Sequence, residues 1–278
     1  MASQFKYGVV GAGAVSASLI GRLPSKARDI GPVSAVSCRV ASRIANSLRA
    51  GYAVRSADEL NGMAAILFHA PHEQVEHLVD LLEAAAIDWT GKALVFCDSA
   101  VPRAVRERFE TRGASVAAAR DSGVPGAIVI EAGKGRGSAL QIALRISRQL
   151  HLNAIEIHPA SADAFDAVVT LGGGAFTALI DQAVELLRGA GLRDNEATRI
   201  AASLFEQTAR NYAHSGKQSW VWYIRKPSSA RLRSQLTAAG PELEPVLRHL
   251  LLFAFETFGK HDAAAADLAA AFPAAIEK

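Results

Sequence analysis

The chain has 278 residues, 50% of them apolar, and its 30 lysines and arginines against 27 aspartates and glutamates leave a formal charge of +3. This length and apolar content support a sizeable buried core in one large or two medium domains. The charge is small, with basic residues gathered only at Arg225, Lys226, Arg231 and Arg233, which argues against nucleic acid, and no uninterrupted apolar run reaches the ~18 residues of a membrane span.

The first apolar stretch, VVGAGAVSASLIG, loosely imitates a signal peptide, but its glycine spacing suits a nucleotide-binding turn better. Cys38 and Cys97 lie in apolar runs without ligand-like spacing and read as core thiols, so the expected compartment is the reducing cytoplasm.

In chain order, short apolar runs predict strands at 5–10, 33–38, 64–69, 93–97, 115–119, 127–132 and 154–157, with amphipathic helices between them such as Val75–Ala86 and Val101–Arg112. That alternation is the sequence form of βαβ units around a parallel sheet. After His158 only helical patterns remain, at 163–190, 194–214, 228–239, 242–258 and 261–271, with glycine or proline at most breaks. The predicted fold class is α/β: an N-terminal Rossmann-type doubly wound sheet over 1–158, followed by an all-α domain over 159–278.

The first strand runs into Gly11-Ala12-Gly13-Ala14-Val15-Ser16 and then a helical pattern. In such a turn the first glycine permits the tight bend, the second lets the backbone approach a pyrophosphate, and a small third residue lets helix and strand pack closely. The helix N-terminus adds free N–H groups and a positive dipole end. Ser16 stands where glycine or alanine is usual. A glycine turn without ligand is the competing reading.

The end of the second strand selects the nucleotide. NAD-dependent proteins commonly place an acid there for the ribose 2′-OH, whereas this chain has no acid from Pro32 to Arg49. NADP is therefore expected over NAD, its 2′-phosphate held by Ser37 and Arg39, with Ser42 and Arg43 nearby. Surface arginines on an ordinary helix start are the alternative.

With these residues placed, the chain resembles the pyrroline-5-carboxylate reductase and 6-phosphogluconate dehydrogenase-like superfamily, above all its uncharacterised Rossmann-like members with a C-terminal helical domain of unknown function. The resemblance covers most of the chain. It rests on GAGAVSASL, on SCR after the second strand, on ILFHAPHEQV, on IVIEAGKGRGSALQIALRISRQL and on DAVVTLGGGAFTALIDQAVELLRGAGL, in that order. It implies an NADP-dependent oxidoreductase, a helical domain that binds substrate and forms a homodimer, and a nicotinamide near Ala70, Pro71 and Ser99. The departures fall on the chemistry. Lys226-Pro227-Ser228-Ser229-Ala230-Arg231 replaces the "SPGGTT"-like loop of the reductases, which argues against pyrroline-5-carboxylate as substrate, and Gly172-Gly173-Gly174 lacks the serine and proline of "SGP".

Hydride transfer asks the protein mainly to position the nicotinamide and a proton donor or anion clamp. Lys226, Ser228 and Ser229, with Tyr223 and Arg225, open a helix that suits a carboxylate, although Ser228 or Ser229 also makes an ordinary N-cap. Trp220 and Trp222 fit a substrate pocket or a dimer interface equally well. Gly172 to Gly174 in a helical pattern ask for a close approach by cofactor or partner helix, or for packing alone. Asp98 and Ser99 end a strand at the ligand-binding edge or cap the next helix.

The segment HAPHEQVEH, residues 69–77, carries three histidines and two glutamates. His72 and His77 are five apart, which does not put them on one helical face as in HExxH, so no metal site is expected. His72 with Glu76, and Glu73 with His77, read as surface ion pairs in a first helical turn. His69, at the end of its strand, is the candidate to meet cofactor or substrate, against a satisfied structural histidine. The expected function is an NADP-dependent oxidoreductase of a small carbonyl or imine carboxylate, with a non-catalytic NADP-binding sensor or scaffold as the alternative. A vestigial Rossmann turn on a helical dimer module is a third.

Overall fold

The computed structural model describes residues 6–99, 101–132, 137–219 and 229–258. The chain forms two compact units, Met1–Thr170 and Leu171–Lys278.

Among the described residues of the first unit, eight strands form one sheet: β1 (Tyr7–Gly11), β2 (Ile30–Ser34), β3 (Tyr52–Ala53), β4 (Ala65–His69), β5 (Ala93–Cys97), β6 (Ser115–Asp121), β7 (Ala127–Ala132) and β8 (Asn153–Ile157). Their order is 3-2-1-4-5-6-7-8, and all neighbours run parallel except β6 and β7. The order reverses between β1 and β4, which makes the carboxyl ends of those strands the topological switch point where open α/β sheets take ligands.

The helices of this unit are α1 (Leu19–Arg22), α2 (Lys26–Asp29), α3 (Cys38–Leu48), α4 (Val75–Ala84), α5 (Arg103–Thr111), α6 (Ser138–Gln149) and α7 (Ala162–Thr170). Side chains alternate across a strand, so each strand feeds two cores. Val9, Val33, Leu67 and Val95 pack with Leu19 and Ile20 of α1, Ile44 of α3 and Ala143 of α6. Val10, Ile66, Phe68 and Phe96 pack with Leu78 and Leu82 of α4 and Phe109 of α5. Phe96 meets Phe68 edge-on at 5.0 Å between ring centroids, and Trp89 meets Phe109 at 4.8 Å. Contacts of this kind add about 0.5–1.5 kcal/mol each beyond area burial.

Two expectations shift. The second strand occupies 30–34 instead of 33–38, because Pro32 is accommodated inside it, where the pairing with β1 is irregular between Tyr7 and Val9. Beyond Ser34 the chain leaves the sheet: Val36 is exposed, and the Ser37 hydroxyl caps α3 by accepting from Val40 N–H at 3.3 Å. Cys38 therefore lies exposed at the start of α3 and is not a core thiol, whereas Cys97 is fully buried. Burial pushes the Cys97 thiol well above the usual thiol range, and the neighbouring Asp98 charge adds to this.

A single buried cluster ties the far strands together. Glu131 on β7 accepts from Arg106 Nη1 of α5 at 2.6 Å and from Arg120 Nε of β6 at 2.9 Å, and Arg120 reaches Asp166 of α7 at 2.6 Å.

The second unit is helical in its described residues: α8 (Phe176–Gly189), α9 (Asp194–Ser215) and α10 (Ser229–Phe258), the last kinked at Gly240 ahead of Pro241. Among its described residues Val184, Ala197, Ala201, Leu232 and Leu236 are buried, and Phe176 stacks edge-on against Phe205 at 5.0 Å. Large apolar side chains stay uncovered, among them Leu171 and Phe253 at 66% exposure and Leu204 at 54%.

No uninterrupted apolar run reaches membrane length, but among the described residues one helix is long and apolar enough to cross a membrane by length and composition. Pro159–Gly189 is one helical run that passes by length and composition, and 6% of its most apolar window is buried. Scattered acids such as Asp163 and Asp181 interrupt the run to the eye, but an average over a window tolerates them.

Candidate functional site at the carboxyl edge of the sheet

β1 ends at Gly11, and the turn that follows lies against the end of β4. Ala12 N–H donates to the His69 carbonyl at 2.9 Å. Gly13 is left-handed, with φ +68°, and a Cβ there would stand 2.8 Å from Pro71 Cγ. At Gly11 a Cβ would stand 2.8 Å from Val15 Cγ2. Both glycines are thus required by the turn itself. Gly13 and Ala14 are exposed, and among the described residues their N–H groups have no acceptor. Val15 turns inward and joins the core, while Ser16 is exposed.

The helix expected after this turn is short and broken. Val15–Ala17 is a 3₁₀ turn, Ser18 is extended with ψ 176°, and α1 then runs only from Leu19 to Arg22 before Pro24. Ser18 Oγ causes the break: it donates to the Val15 carbonyl at 2.7 Å and accepts from Ile20 N–H at 3.2 Å, restarting the helix. At Gly21 a Cβ would stand 2.0 Å from the Ser16 carbonyl oxygen, so the restarted helix also requires glycine there.

Three strand ends are sewn together beside this turn. His69 Nδ1 donates to the Cys97 carbonyl at 2.9 Å; a carbonyl only accepts, so the proton sits on Nδ1 and Nε2 stays free. Ser99 Oγ accepts from Ala70 N–H at 2.9 Å and donates to the Cys97 carbonyl at 3.2 Å. Asp98 has φ +52°, and its Oδ2 accepts from Leu19 N–H at 2.6 Å. Neither Asp98 nor Ser99 caps α5, whose N-cap is Pro102. Burial raises the Asp98 carboxyl above the usual carboxylate range, against the lowering effects of the Leu19 and Asp121 N–H groups and the His69 and Arg22 charges.

His69 and Asp98 line a cavity of about 630 Å³ together with Ala14, Ser18, Arg22, Asp121 and the β6–β7 turn around Gly123. Past the end of β2, and not part of this lining, Ser37 caps α3, and Arg39 is exposed in its first turn without an ion-pair partner among the described residues. Ala70 is buried and Pro71 half-buried against Gly13. The structure thus brings Gly11, Ala12, Gly13, Ala14, Ser16, His69, Ala70, Pro71 and Ser99 to one edge.

Other expectations part from this edge. Lys226 and Ser228, with Trp220, Trp222, Tyr223 and Arg225, lie outside the described residues, and Ser229 is the first residue of α10. Glu76 pairs with Arg108 of α5 at 3.1 Å instead of with His72, and among the described residues Glu73 and His77 form no ion pair. The reason is that His72–Gln74 is a separate 3₁₀ turn, so the four-residue spacing does not bring these pairs together. No group of three or more metal-type ligands occurs among the described residues. Gly172 to Gly174 lie in a π-helical turn, Leu171–Ala175, and among the described residues a Cβ on any of them would meet nothing within 4 Å. Asp98, Arg22 and Asp121 are the site residues that sequence reasoning missed or left aside; only Asp98, just past a predicted strand, carried a sequence signal.

No protein-family model and no curated protein matches the sequence. Solved structures do match in fold. A reductive aminase from Aspergillus terreus, in complex with NADPH and ethyl levulinate, is 15% identical, with 97% of this chain and 100% of that one covered at a TM-score of 0.63. An imine reductase from Pseudomonas sp. is 17% identical over 97% and 99%, at 0.58. An imine reductase variant from Myxococcus stipitatus, in complex with NAD+, is 14% identical over 96% and 92%, at 0.59. The likeness is one of fold: a Rossmann-type sheet followed by helices, shared with these reductases along nearly the whole chain.

Proposed function

We propose that this protein is an NADP-dependent oxidoreductase acting on a small carbonyl or imine substrate that bears a carboxylate. The observation that carries the reading is the Gly11–Ser16 turn, open at the N–H groups of Gly13 and Ala14 and set at the switch point beside His69, Ala70, Pro71 and Ser99. The full-length fold likeness to reductases solved with NADPH supports it. The residues present fit the cofactor: Gly11 to Ser16 take the pyrophosphate, Ser37 and Arg39 the 2′-phosphate, and Ala70, Pro71 and Ser99 border the nicotinamide.

Bound NADPH supplies a hydride to the substrate carbon. His69 holds the proton for the substrate oxygen or nitrogen. As an imidazolium it gives up the Nε2 proton and is left as the Nδ1–H tautomer, which the Cys97 carbonyl already accepts. Lys226, Ser228 and Ser229 are assigned to the substrate side on sequence alone. Residues 1–158 bind the cofactor; residues 159–278 bind substrate and form a homodimer, a role supported by the uncovered Leu171 and Phe253 and by the open space over Gly172 to Gly174. The two free cysteines suit a cytoplasmic setting.

The departure of 226–231 from the reductase pattern favours a second reading, a non-catalytic NADP-binding sensor or scaffold. Both readings predict NADPH binding, and only the first predicts turnover. A thermal-shift comparison of NADPH with NADH, repeated on Arg39→Ala, tests the shared part. NADPH should protect more than NADH, and Arg39→Ala should erase a difference of about 1.5–3 kcal/mol. Equal protection by NADH, or no effect of the substitution, overturns the NADP assignment. Consumption of NADPH with a panel of imines and 2-oxo acids then separates enzyme from sensor.

A further inference from the structure

The carboxyl-edge cavity holds the ionisable side chains of Arg22, His69, Asp98 and Asp121 and the polar Ser18. Most of their polar atoms are already committed inside the protein. Asp98 accepts from the N–H groups of Leu19 and Asp121. The Asp121 carboxylate accepts from Gly123 N–H at 2.8 Å. Ser18 Oγ both donates and accepts within its own turn. His69 Nδ1 is held by the Cys97 carbonyl. Among the nitrogens of these side chains two remain for a ligand: His69 Nε2 and the guanidinium of Arg22. Among the described residues Arg22 makes no ion pair or side-chain hydrogen bond, and its charge is felt only at a distance by Asp98.

We propose that Arg22 is the specificity-determining residue of this cavity and binds the carboxylate of the substrate. The inference rests on the reductase reading above. It moves the carboxylate clamp from the 226–229 segment to the end of α1. A planar guanidinium matches a carboxylate with two parallel N–H···O bonds, which a lysine ammonium does not reproduce. The same cavity wall then presents His69 Nε2 to the reacting oxygen or nitrogen. The two carboxylates make the cavity hostile to an anion that Arg22 does not neutralise, so ketones without a carboxylate gain nothing from Arg22, and carboxylates gain nothing without it.

The test uses the full chain saturated with NADP+, with binding read by thermal shift and by calorimetry. The probes are 2-oxo acids of increasing size, pyruvate, 2-oxobutyrate, 2-oxoglutarate and phenylpyruvate, each set against a ketone of matched size lacking the carboxylate. At least one 2-oxo acid should bind wild type, and its matched ketone should bind at least tenfold more weakly. Arg22→Gln should weaken the acid at least tenfold and leave the ketone unchanged, with Arg22→Lys in between. Protection of Arg22→Gln by NADPH should equal that of wild type, which also shows that the variant is folded. The proposal is overturned if no 2-oxo acid binds, if Arg22→Gln binds the acid as well as wild type, or if Arg22→Gln loses NADPH instead, which would assign the guanidinium to a cofactor phosphate. If neither NADPH nor NADH protects wild type, the reductase reading falls first and this proposal with it.

Discussion

The Nδ1 atom of His69 lies 2.9 Å from the backbone carbonyl of Cys97, so the end of β4 is pinned to the end of β5 through an imidazole whose other nitrogen is left to the cavity. The contact fixes both the ring orientation and the tautomer. His69→Asn should lower turnover of any accepted substrate by about 10²–10⁴-fold, the usual worth of a positioned acid or base, with thermal protection by NADPH intact. Undiminished turnover in the variant would remove His69 from the chemistry.

Gly13 answers to two constraints at once, a left-handed φ of +68° and a neighbour, Pro71 Cγ, 2.8 Å from where a Cβ would stand. Gly13→Ala should cost about 1–3 kcal/mol in urea unfolding, within the range for strained backbone. It should also diminish NADPH protection beyond what that loss explains, because the turn is displaced from Pro71. A variant as stable and as well protected as wild type would show that the turn relaxes freely.

Two carboxyls give opposite pH signatures. Burial holds the Asp98 carboxyl above its ordinary value of 3.8, so the folded state binds this proton more tightly than the unfolded chain. Its contribution to stability therefore falls as pH rises from 3.8 through the folded value. The stability of Asp98→Asn relative to wild type should rise across that window and level off above it. For Asp29, burial pulls upward but is outweighed by Ser25, Lys6 and Arg28, which hold the carboxyl below 3.8. Its contribution is present above 3.8 and is lost as pH falls through the folded value, so the penalty of Asp29→Asn should shrink on acidification. Urea unfolding of both variants at a series of pH values checks the signs.

Glu131 pairs with two arginines, Arg106 and Arg120, and is itself 4% exposed. Glu131→Gln leaves Arg106 without its charge partner and Arg120 with Asp166 alone, and should destabilise by about 3–5 kcal/mol. A loss under about 1 kcal/mol would mean that water compensates Arg106 and that the existing Asp166 pair suffices for Arg120.

Leu171 is 66% exposed beside the open π-turn. If residues 159–278 form the homodimer proposed above, Leu171→Glu should shift the protein from dimer to monomer in sedimentation velocity, without altering NADPH protection. A wild type that sediments as a monomer at every concentration would end the dimer proposal.

Much of the sheet was legible from periodicity. The runs at 93–97 and 127–132 are the observed β5 and β7, residue for residue, because apolar strands buried on both faces show as short continuous runs. The two-residue β3 escaped notice, since Tyr52 and Ala53 are too few for any period and Tyr52 is exposed. The break between 239 and 242 in the last described helix was readable from Gly240 and Pro241, whose backbone chemistry is local. The end of the second strand was not, because whether Pro32 sits inside a strand depends on the partner strand yielding its register.

By itself the sequence determined the order of elements, the glycine turn after the first strand, the lack of an acid after the second and the position of His69 at a strand end, because each follows from local pattern or covalent type. Only the tertiary structure decided which polar atoms remain free. Ser18 restarts α1, Asp98 spends an oxygen on Leu19, Ser99 secures Ala70, and His69 commits Nδ1 to Cys97, leaving Nε2 and Arg22 open. The hydrogen bonds from Asp98, Ser99 and His69 join residues 28 to 79 positions apart, and no periodicity in one segment encodes the donor or acceptor that a distant segment will bring to it.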